Sequence, residues 1–314
     1  MSDVFRLGMI GLDTSHCIAF TRIFHDPDAA EELQGFRVVA GYPSFSEDLS
    51  FSAERISQYK AELSEKFGVA MTESIPALLA QVDGVLLTSV DGRRHLAELR
   101  PVLEARKPVY IDKPFAASLA DAKEMARLIK QSKVPCFSAS SLRFDSAFAD
   151  FQATRGPEAA TRPADAPLTA PQVFGCDAYS PAALEPTNPG FFWYGIHGVE
   201  ILYTIMGRGC KRVQCSSTED GDLAVGVWEG GRIGTMRGIR KGAKRYGAAV
   251  LLEAGFECRP AQGDFYRGLC VAITEMFRTG HVPVPIDETL ELCAYIEAAW
   301  QSNQRGGDEI EIDL

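Results

Sequence analysis

Phe5-Arg6-Leu7-Gly8-Met9-Ile10-Gly11-Leu12-Asp13-Thr14-Ser15-His16 decides the fold. A strand-like apolar run over residues 5–11 passes through a short turn into residues 15–25, where apolar side chains recur at three- and four-residue spacing. The same alternation continues downstream. Residues 36–42, 69–71, 84–89, 109–111 and 135–139 read as strands, and residues 53–67, 95–105 and 119–131 as helices. Strands alternating with helices build a parallel sheet wrapped on both faces, and right-handed crossovers make it doubly wound. A ligand of such a sheet lies at the carboxyl ends of the strands.

Beyond an Ala-, Pro- and Thr-rich stretch at 153–170, read as a linker, the texture changes. Runs at 172–179, 212–217, 223–228, 232–239 and 248–253 are separated by Gly-containing turns, as in an antiparallel sheet. Helices are expected at 197–206, 263–279 and 288–302, and no internal repeat is visible. The expected fold class is therefore α/β: an N-terminal Rossmann-like doubly wound parallel sheet plus a C-terminal α+β domain with a mostly antiparallel sheet. The expected division is 1–145 and 146–314, which suits a chain of 314 residues.

Bulk properties narrow the function classes. A net charge of -10 argues against a nucleic-acid partner. Apolar runs such as 84–88 are too short to span a bilayer, so no membrane is expected. The first residues lack the basic-then-apolar pattern of a signal peptide. Eight cysteines without a C-x-x-C pair fit reduced thiols in a cytoplasmic protein rather than a disulfide framework or zinc site, and no metal is expected.

Chemistry is sought first at the turn after the first strand. A dinucleotide-binding turn reads G-x-G-x-x-G: the first glycine turns the chain, the second admits the pyrophosphate, and the third packs helix on strand. Here Gly11 stands in the first place, while Asp13 and His16 occupy the other two. A carboxylate at a helix N-terminus competes for the field that would hold a phosphate. Asp13, Thr14 and Ser15 also suit plain helix capping. The second strand lacks the acidic residue that grips the adenosine ribose; Ser44 and Ser46 stand there, as ribose contacts or as turn formers. After the fourth strand comes Ser89-Val90-Asp91-Gly92-Arg93-Arg94-His95, and after the fifth Asp112-Lys113-Pro114. An ammonium at a strand's carboxyl end can hold a substrate hydroxyl and stabilise developing alkoxide charge.

These pieces resemble the Gfo/Idh/MocA oxidoreductase family, which carries T-P-N-x-x-H after strand four and E-K-P after strand five. His95 and Lys113 match those positions, with one extra residue in the turn and Asp for Glu at 112. Ser138–Phe144, SASSLRF, stands where the family often has G-Y-N-R-R-F. Farther on, Gly195, His197, Glu200 and Leu202 fall on the family's D-x-G-x-H-x-x-D-x-L pattern, with Trp193 where the family carries its acid. The closing segment at 296–302 is also family-like, so the resemblance covers nearly the whole chain.

The resemblance implies a cofactor, NAD or NADP, and a small carbohydrate-like substrate. Gly11, Asp13, Thr14, Ser15 and His16 are expected to line the cofactor cleft, with Ser44, Ser89, His95 and Lys113 completing it. It implies Lys113 and His197 as the acid–base pair, on opposite sides of one pocket, with Tyr194 substituting for the missing acid. Arg143, Glu200 and Trp193 are expected substrate contacts. The basic run from Arg237 to Arg245 reads as a solvated strand edge or an anion site. Apolar residues on both parities of the 223–228 strand suggest a homodimer or homotetramer formed through the second domain. Two functions compete: an NAD(P)-dependent oxidoreductase acting on a sugar, polyol or glycoside hydroxyl, and a redox-silent sugar-binding or lyase-type relative.

Overall fold

The computed structural model describes residues 4–153, 172–263 and 265–314. Apart from Ala153, the expected linker at 153–170 lies outside the described residues. The described chain forms two units: residues up to Ala139 with Tyr266–Ile286, and Ser140–Phe265 with Asp287–Leu314.

In the first unit the strands are β1 (Phe5–Ile10), β2 (Phe36–Tyr42), β3 (Ala70–Met71), β4 (Gly84–Leu87), β5 (Val109–Ile111) and β6 (Cys136–Ser138). All pair in parallel, in the order β3-β2-β1-β4-β5-β6. The order reverses between β1 and β4, which makes their carboxyl ends the topological switch point. Every residue of β4 and β5 is buried, as expected for strands covered on both faces. The helices are α1 (Ser15–Phe24), α2 (Ser50–Ala53), α3 (Ile56–Phe67), α4 (Ile75–Leu79), α5 (Gly92–Glu104) and α6 (Leu119–Ser132). Thr14, Ser74, Asp91 and Ser118 cap four of them through their side chains. The Rossmann-like expectation is met.

Two boundaries differ from expectation for local reasons. Where one helix is expected at 53–67, a short α2 ending at Ala53 is followed by α3 from Ile56, and the Ser52 hydroxyl ties α2 to the preceding loop by accepting from the Ser46 N–H (2.8 Å). The helix expected to start at residue 95 starts at Gly92, since the Asp91 carboxylate caps the Arg93 N–H at 3.0 Å.

The second unit holds a seven-stranded sheet: β7 (Val173–Pro181), β8 (Cys210–Thr218), β9 (Gly221–Trp228), β10 (Ile233–Ile239), β11 (Gly247–Leu252), β12 (Gly255–Pro260) and β13 (Ile310–Glu311). Its order is β12-β11-β7-β10-β9-β8-β13, antiparallel throughout except for the parallel pair β7–β10. A short helix, α7 (Ala149–Ala153), precedes this sheet, and α8 (Ile196–Met206), with all eleven residues buried, packs on β7 and β10. One side of β9 (Asp222, Ala224, Gly226, Trp228) is buried while Leu223, Val225 and Val227 are half-buried. Strands β12 and β13 were not expected. One is an edge strand with little burial and the other has only two residues, so neither carries a clear period-two signal.

The last helices are α9 (Phe265–Thr279) and α10 (Ile286–Gln304). Contrary to the expected division, which put residues 263–279 in the second domain, α9 belongs from Tyr266 onward to the first unit. Phe277 stacks on Phe5 (centroids 5.3 Å apart) and lies 6.4 Å from Phe36. Thr274 and Arg278 donate to the Glu32 carbonyl at 2.9 and 2.7 Å. Among the described residues, no helix is long and apolar enough to cross a membrane.

Phe277→Ala is expected to cost about 3–5 kcal/mol, since it removes a buried ring from the Phe5–Phe36 cluster. Urea unfolding followed by circular dichroism measures this, and a loss below about 1 kcal/mol would mean that α9 does not complete the first core.

Candidate functional site

Gly11 sits at the end of β1 with φ of 85°, a conformation glycine adopts without strain. A Cβ there would lie 2.2 Å from the Ser89 backbone nitrogen, so the β1–α1 and β4–α5 turns touch only because residue 11 has no side chain. Asp13 is fully buried. Its carboxylate accepts from the Ser52 hydroxyl at 2.6 Å and from the Val90 N–H at 3.0 Å. Burial pushes its pKa up to about 6, against the pull of these hydrogen bonds. The expected competition with a phosphate at the α1 N-terminus is therefore corrected: both oxygens are engaged by the neighbouring turn and α2. Thr14 caps α1, accepting from the His16 N–H at 3.4 Å, and Ser15 is exposed at the first helical position. No acidic residue stands in the first turn of α1. The turn thus keeps its first glycine, its cap and an uncompensated helix N-terminus, the features that suit a dinucleotide phosphate.

Along the same edge, Glu98 of α5 gathers the neighbouring loops. It accepts from the Ser44 hydroxyl and, at 2.7 Å, from the Ser89 hydroxyl; Arg94 donates to both Glu98 (3.0 Å) and Ser44 (2.9 Å). Ser46 donates to Asp91 at 2.7 Å, and the Arg93 guanidinium forks between Asp91 and Asp48. His95 is fully buried, with Nε2 2.8 Å from the Ser89 carbonyl and Nδ1 3.2 Å from the Phe115 carbonyl. It braces two turns against each other.

The third cluster surrounds the end of β5. Asp112 lies 2.6 Å from His16 Nδ1 and accepts from the Tyr110 hydroxyl at 3.0 Å. Burial alone would raise its pKa, but the adjacent His16, then Lys113 and Tyr110, hold it near 2. His16 Nε2 bonds to no described residue. Lys113 is 9% exposed, and its ammonium makes no hydrogen bond or ion pair with any described residue. An ammonium buried without such a partner is costly, and the neighbouring Asp112 charge offsets part of that cost.

In the second unit, α8 presents His197 and Glu200 one turn apart. His197 Nδ1 is 2.6 Å from the Ser140 hydroxyl, and its ring meets Tyr194 and Tyr246 edge-on at 6.1 and 5.6 Å. Glu200 accepts from the Ser140 N–H (3.1 Å) and from Arg143 Nε (2.7 Å), while Arg143 also donates to Glu288 at 2.6 Å. Burial pushes Glu200 up, against the Arg143 charge. Burial works against Arg143 too, but the two carboxylates outweigh it and raise its pKa. Arg143 and Glu200, expected at the substrate, are thus committed to each other, and Ser140 rather than Glu200 engages the imidazole. Trp193 is buried, 5.8 Å from Tyr194 ring to ring.

The first unit brings Gly11, Asp13, Thr14, Ser44, Ser89 and His95 onto one carboxyl edge, with His16 and Lys113 flanking Asp112. Ser52, Glu98, Asp91, Ser140 and Glu288 were missed. Glu98 and Glu288 sit on ordinary helical faces, and only their partners distinguish them. Among the described residues no group of His, Cys, Asp or Glu is placed to hold a metal ion.

Residues 42–140 match the family model GFO_IDH_MocA, described as an oxidoreductase family with an NAD-binding Rossmann fold. Over that stretch the family resemblance and the class of cofactor are borne out, with NAD versus NADP left open. A search of curated proteins found no match. Among solved structures, apo scyllo-inositol dehydrogenase from Lactobacillus casei superposes with a TM-score of 0.74 at 13% identity, covering 99% of both chains. Myo-inositol 2-dehydrogenase from Lactobacillus plantarum gives 0.74 at 14% identity, covering 99% of this chain and 100% of that one. An oxidoreductase from Agrobacterium radiobacter, crystallised with NAD+, L-tartaric acid and magnesium, gives 0.71 at 15%, covering 98% of both. At such identities the likeness is one of fold.

Asp13 generates a pH prediction. Its folded pKa, about 6, lies above the ordinary 3.8, so between these values the native state binds more protons than the unfolded one. Stability should fall as pH rises from 4 to 7, by about 3 kcal/mol for this group. Asp13→Asn lacks that titration, so the melting-temperature gap between wild type and variant should shift in the variant's favour with rising pH. A pH-independent gap would mean that Asp13 is not the titrating group.

Proposed function

From the NAD-binding Rossmann match at 42–140, we propose that the chain is a nicotinamide-dependent oxidoreductase acting on a hydroxyl of a polyol, sugar or related hydroxy compound. The observation that carries this reading is the buried Lys113 ammonium at the end of β5, left without a hydrogen-bonding partner among the described residues. The residues at the turn fit the cofactor: Gly11, the Thr14 cap and the amides opening α1 would hold its phosphates, and Ser89 and the β2 end would flank its sugars. A bound nicotinamide supplies the hydride acceptor.

The chain's own residues manage the oxygen and its proton. Lys113 holds the substrate hydroxyl and steadies negative charge as it develops there. In the second unit, His197, whose Nδ1 lies 2.6 Å from the Ser140 hydroxyl, is our candidate for the group that carries a proton. Tyr194 and Tyr246 wall the imidazole with aromatic surface. The committed Arg143–Glu200–Glu288 network stiffens this wall rather than recognising an anion. The inositols and tartrate in the names of the structural neighbours make polyols and hydroxy acids the first substrates to assay. A second reading, a redox-silent sugar binder, rests on the loss of two of the turn's three glycines, whose places Asp13 and His16 take.

We further propose a homodimer or homotetramer. Register aligns Phe256, Leu251, Gly175, Ile233 and Val227 in one row across five strands of the second sheet. Phe256, Ile233 and Leu251 are 62%, 53% and 42% exposed, an apolar row that a partner subunit would cover.

Titration of NADH or NADPH fluorescence should show saturable binding, and no response with either would favour the redox-silent reading. Lys113→Ala and His197→Ala should each lower kcat by about 10²–10³-fold with smaller changes in KM, and the double variant should lose less than their product. Full activity in both single variants would end this assignment. Light scattering at micromolar concentration should give a mass above the 34.2 kDa of one chain; a monomer would reject the assembly.

A further inference from the structure

In the second unit, the last turns of α10, the β8–β9 hairpin and the segment before α8 enclose a cavity of about 170 Å³. We propose that it binds one polyhydroxylated six-membered ring, a monosaccharide or cyclitol. Trp300 meets the apolar face of that ring, and Asp222, Asn303 and Gln304 meet its hydroxyls. None of these residues belongs to the nicotinamide reading above.

Local sequence brings the groups together. Ser302 of α10 accepts from the Cys215 N–H at 2.8 Å and donates to the Asp308 carbonyl at 2.6 Å, which fixes the end of the helix against β8. Trp300, Asn303 and Gln304, three and four residues apart, then share the helix face beside that contact. Alternation along β8 and its antiparallel register with β9 put Cys215, Ser217 and Asp222 on one side of the sheet. Gly190 closes the remaining wall. Its φ of 59° suits glycine, and a Cβ there would lie 3.2 Å from the Trp300 Cβ.

Size and lining chemistry define the ligand. A cavity of about 150 Å³ holds a benzene ring, so this one admits a single six-membered ring and is too small for a dinucleotide. Buried Phe191, Cys215 and Ala299 make part of its lining apolar, and Trp300 is half-buried beside them. Trp300 Nε1 and the Asn303 and Gln304 side-chain amides form no hydrogen bond with any described residue. Asp222, 8% exposed, accepts from the Ser217 hydroxyl and from Arg240 through Nη1 and, at 3.1 Å, Nη2. Those three bonds leave one of the carboxylate's about four acceptor positions open among the described residues. Arg240 already balances its charge. A purely apolar ring would cover the indole but leave the carboxylate and both amides unmatched, and an anion would be repelled by Asp222. A sugar or cyclitol carries an apolar C–H face and an edge of hydroxyls that both donate and accept, which matches both halves of the lining.

The test is fluorine NMR on the full chain with its three tryptophans replaced by fluorotryptophan, the Trp300 resonance being assigned by its loss in Trp300→Phe. D-glucose, myo-inositol and, as an apolar control, indole are titrated in turn through the millimolar range. The Trp300 resonance should shift saturably with D-glucose or myo-inositol. Asn303→Ala, a change at an exposed helical position, should weaken that response about fivefold, the scale of one lost hydrogen bond. Lys113→Ala should leave it intact, which separates this cavity from the hydride-transfer reading. A Trp300 resonance that moves with neither polyol, or with indole alone, would overturn the proposal. So would a response unchanged in folded Asn303→Ala, or one abolished in folded Lys113→Ala.

Discussion

The carboxyl edge of the first sheet depends on one steric constraint, the contact between Gly11 and Ser89. With a Cβ at residue 11 lying 2.2 Å from a backbone nitrogen, no other residue lets these two turns approach. Once they do, the Thr88 hydroxyl reaches the Gly11 carbonyl at 2.7 Å, Asp13 reaches the Val90 N–H, and Ser89 is carried onto Glu98. Each bond would be of modest value alone, but here they are buried together, where an unmade partner is expensive. Gly11 therefore has a structural task in this chain. It lets the protein's own backbone come as close as a ligand would.

Much of this was legible in the sequence, and the illegible part has a common cause. Alternating strands and helices gave the parallel sheet, because burial on both faces leaves an apolar period that any local window detects. The turn, the Asp112-Lys113-Pro114 segment and the His197 helix were legible because their residue types are unusual for their place. Glu98 was not: a carboxylate on an amphipathic helix looks like solvated surface until Ser44, fifty-four residues earlier, is known to point at it. Ser52 binding Asp13 across thirty-nine residues is the same case. Arg143 shows the reverse situation. An arginine in a family-like motif suggested a ligand, whereas Glu200 and Glu288, fifty-seven and 145 residues away, had already claimed its charge.

The two units solve the problem of buried charge differently. In the second, Arg143 is neutralised by carboxylates within the unit, so its electrostatics are closed and serve rigidity. In the first, Asp112 takes His16 as its close partner and leaves the Lys113 ammonium without a hydrogen bond from the described chain. Beside that ammonium, Asp112 is held in a Tyr110–Asp112–His16 chain.

The placement of α9 reaches into biosynthesis. The first unit is assembled from both ends of the polypeptide, since the ring stacked on Phe5 comes from Phe277. A chain emerging from the ribosome can pair β1 through β6 early, yet the aromatic face of Phe5 and Phe36 stays open until more than a hundred further residues have been made. The sheet that folds first is thus the one finished late. During that interval its exposed rings are the part of the nascent protein that a chaperone would be expected to hold.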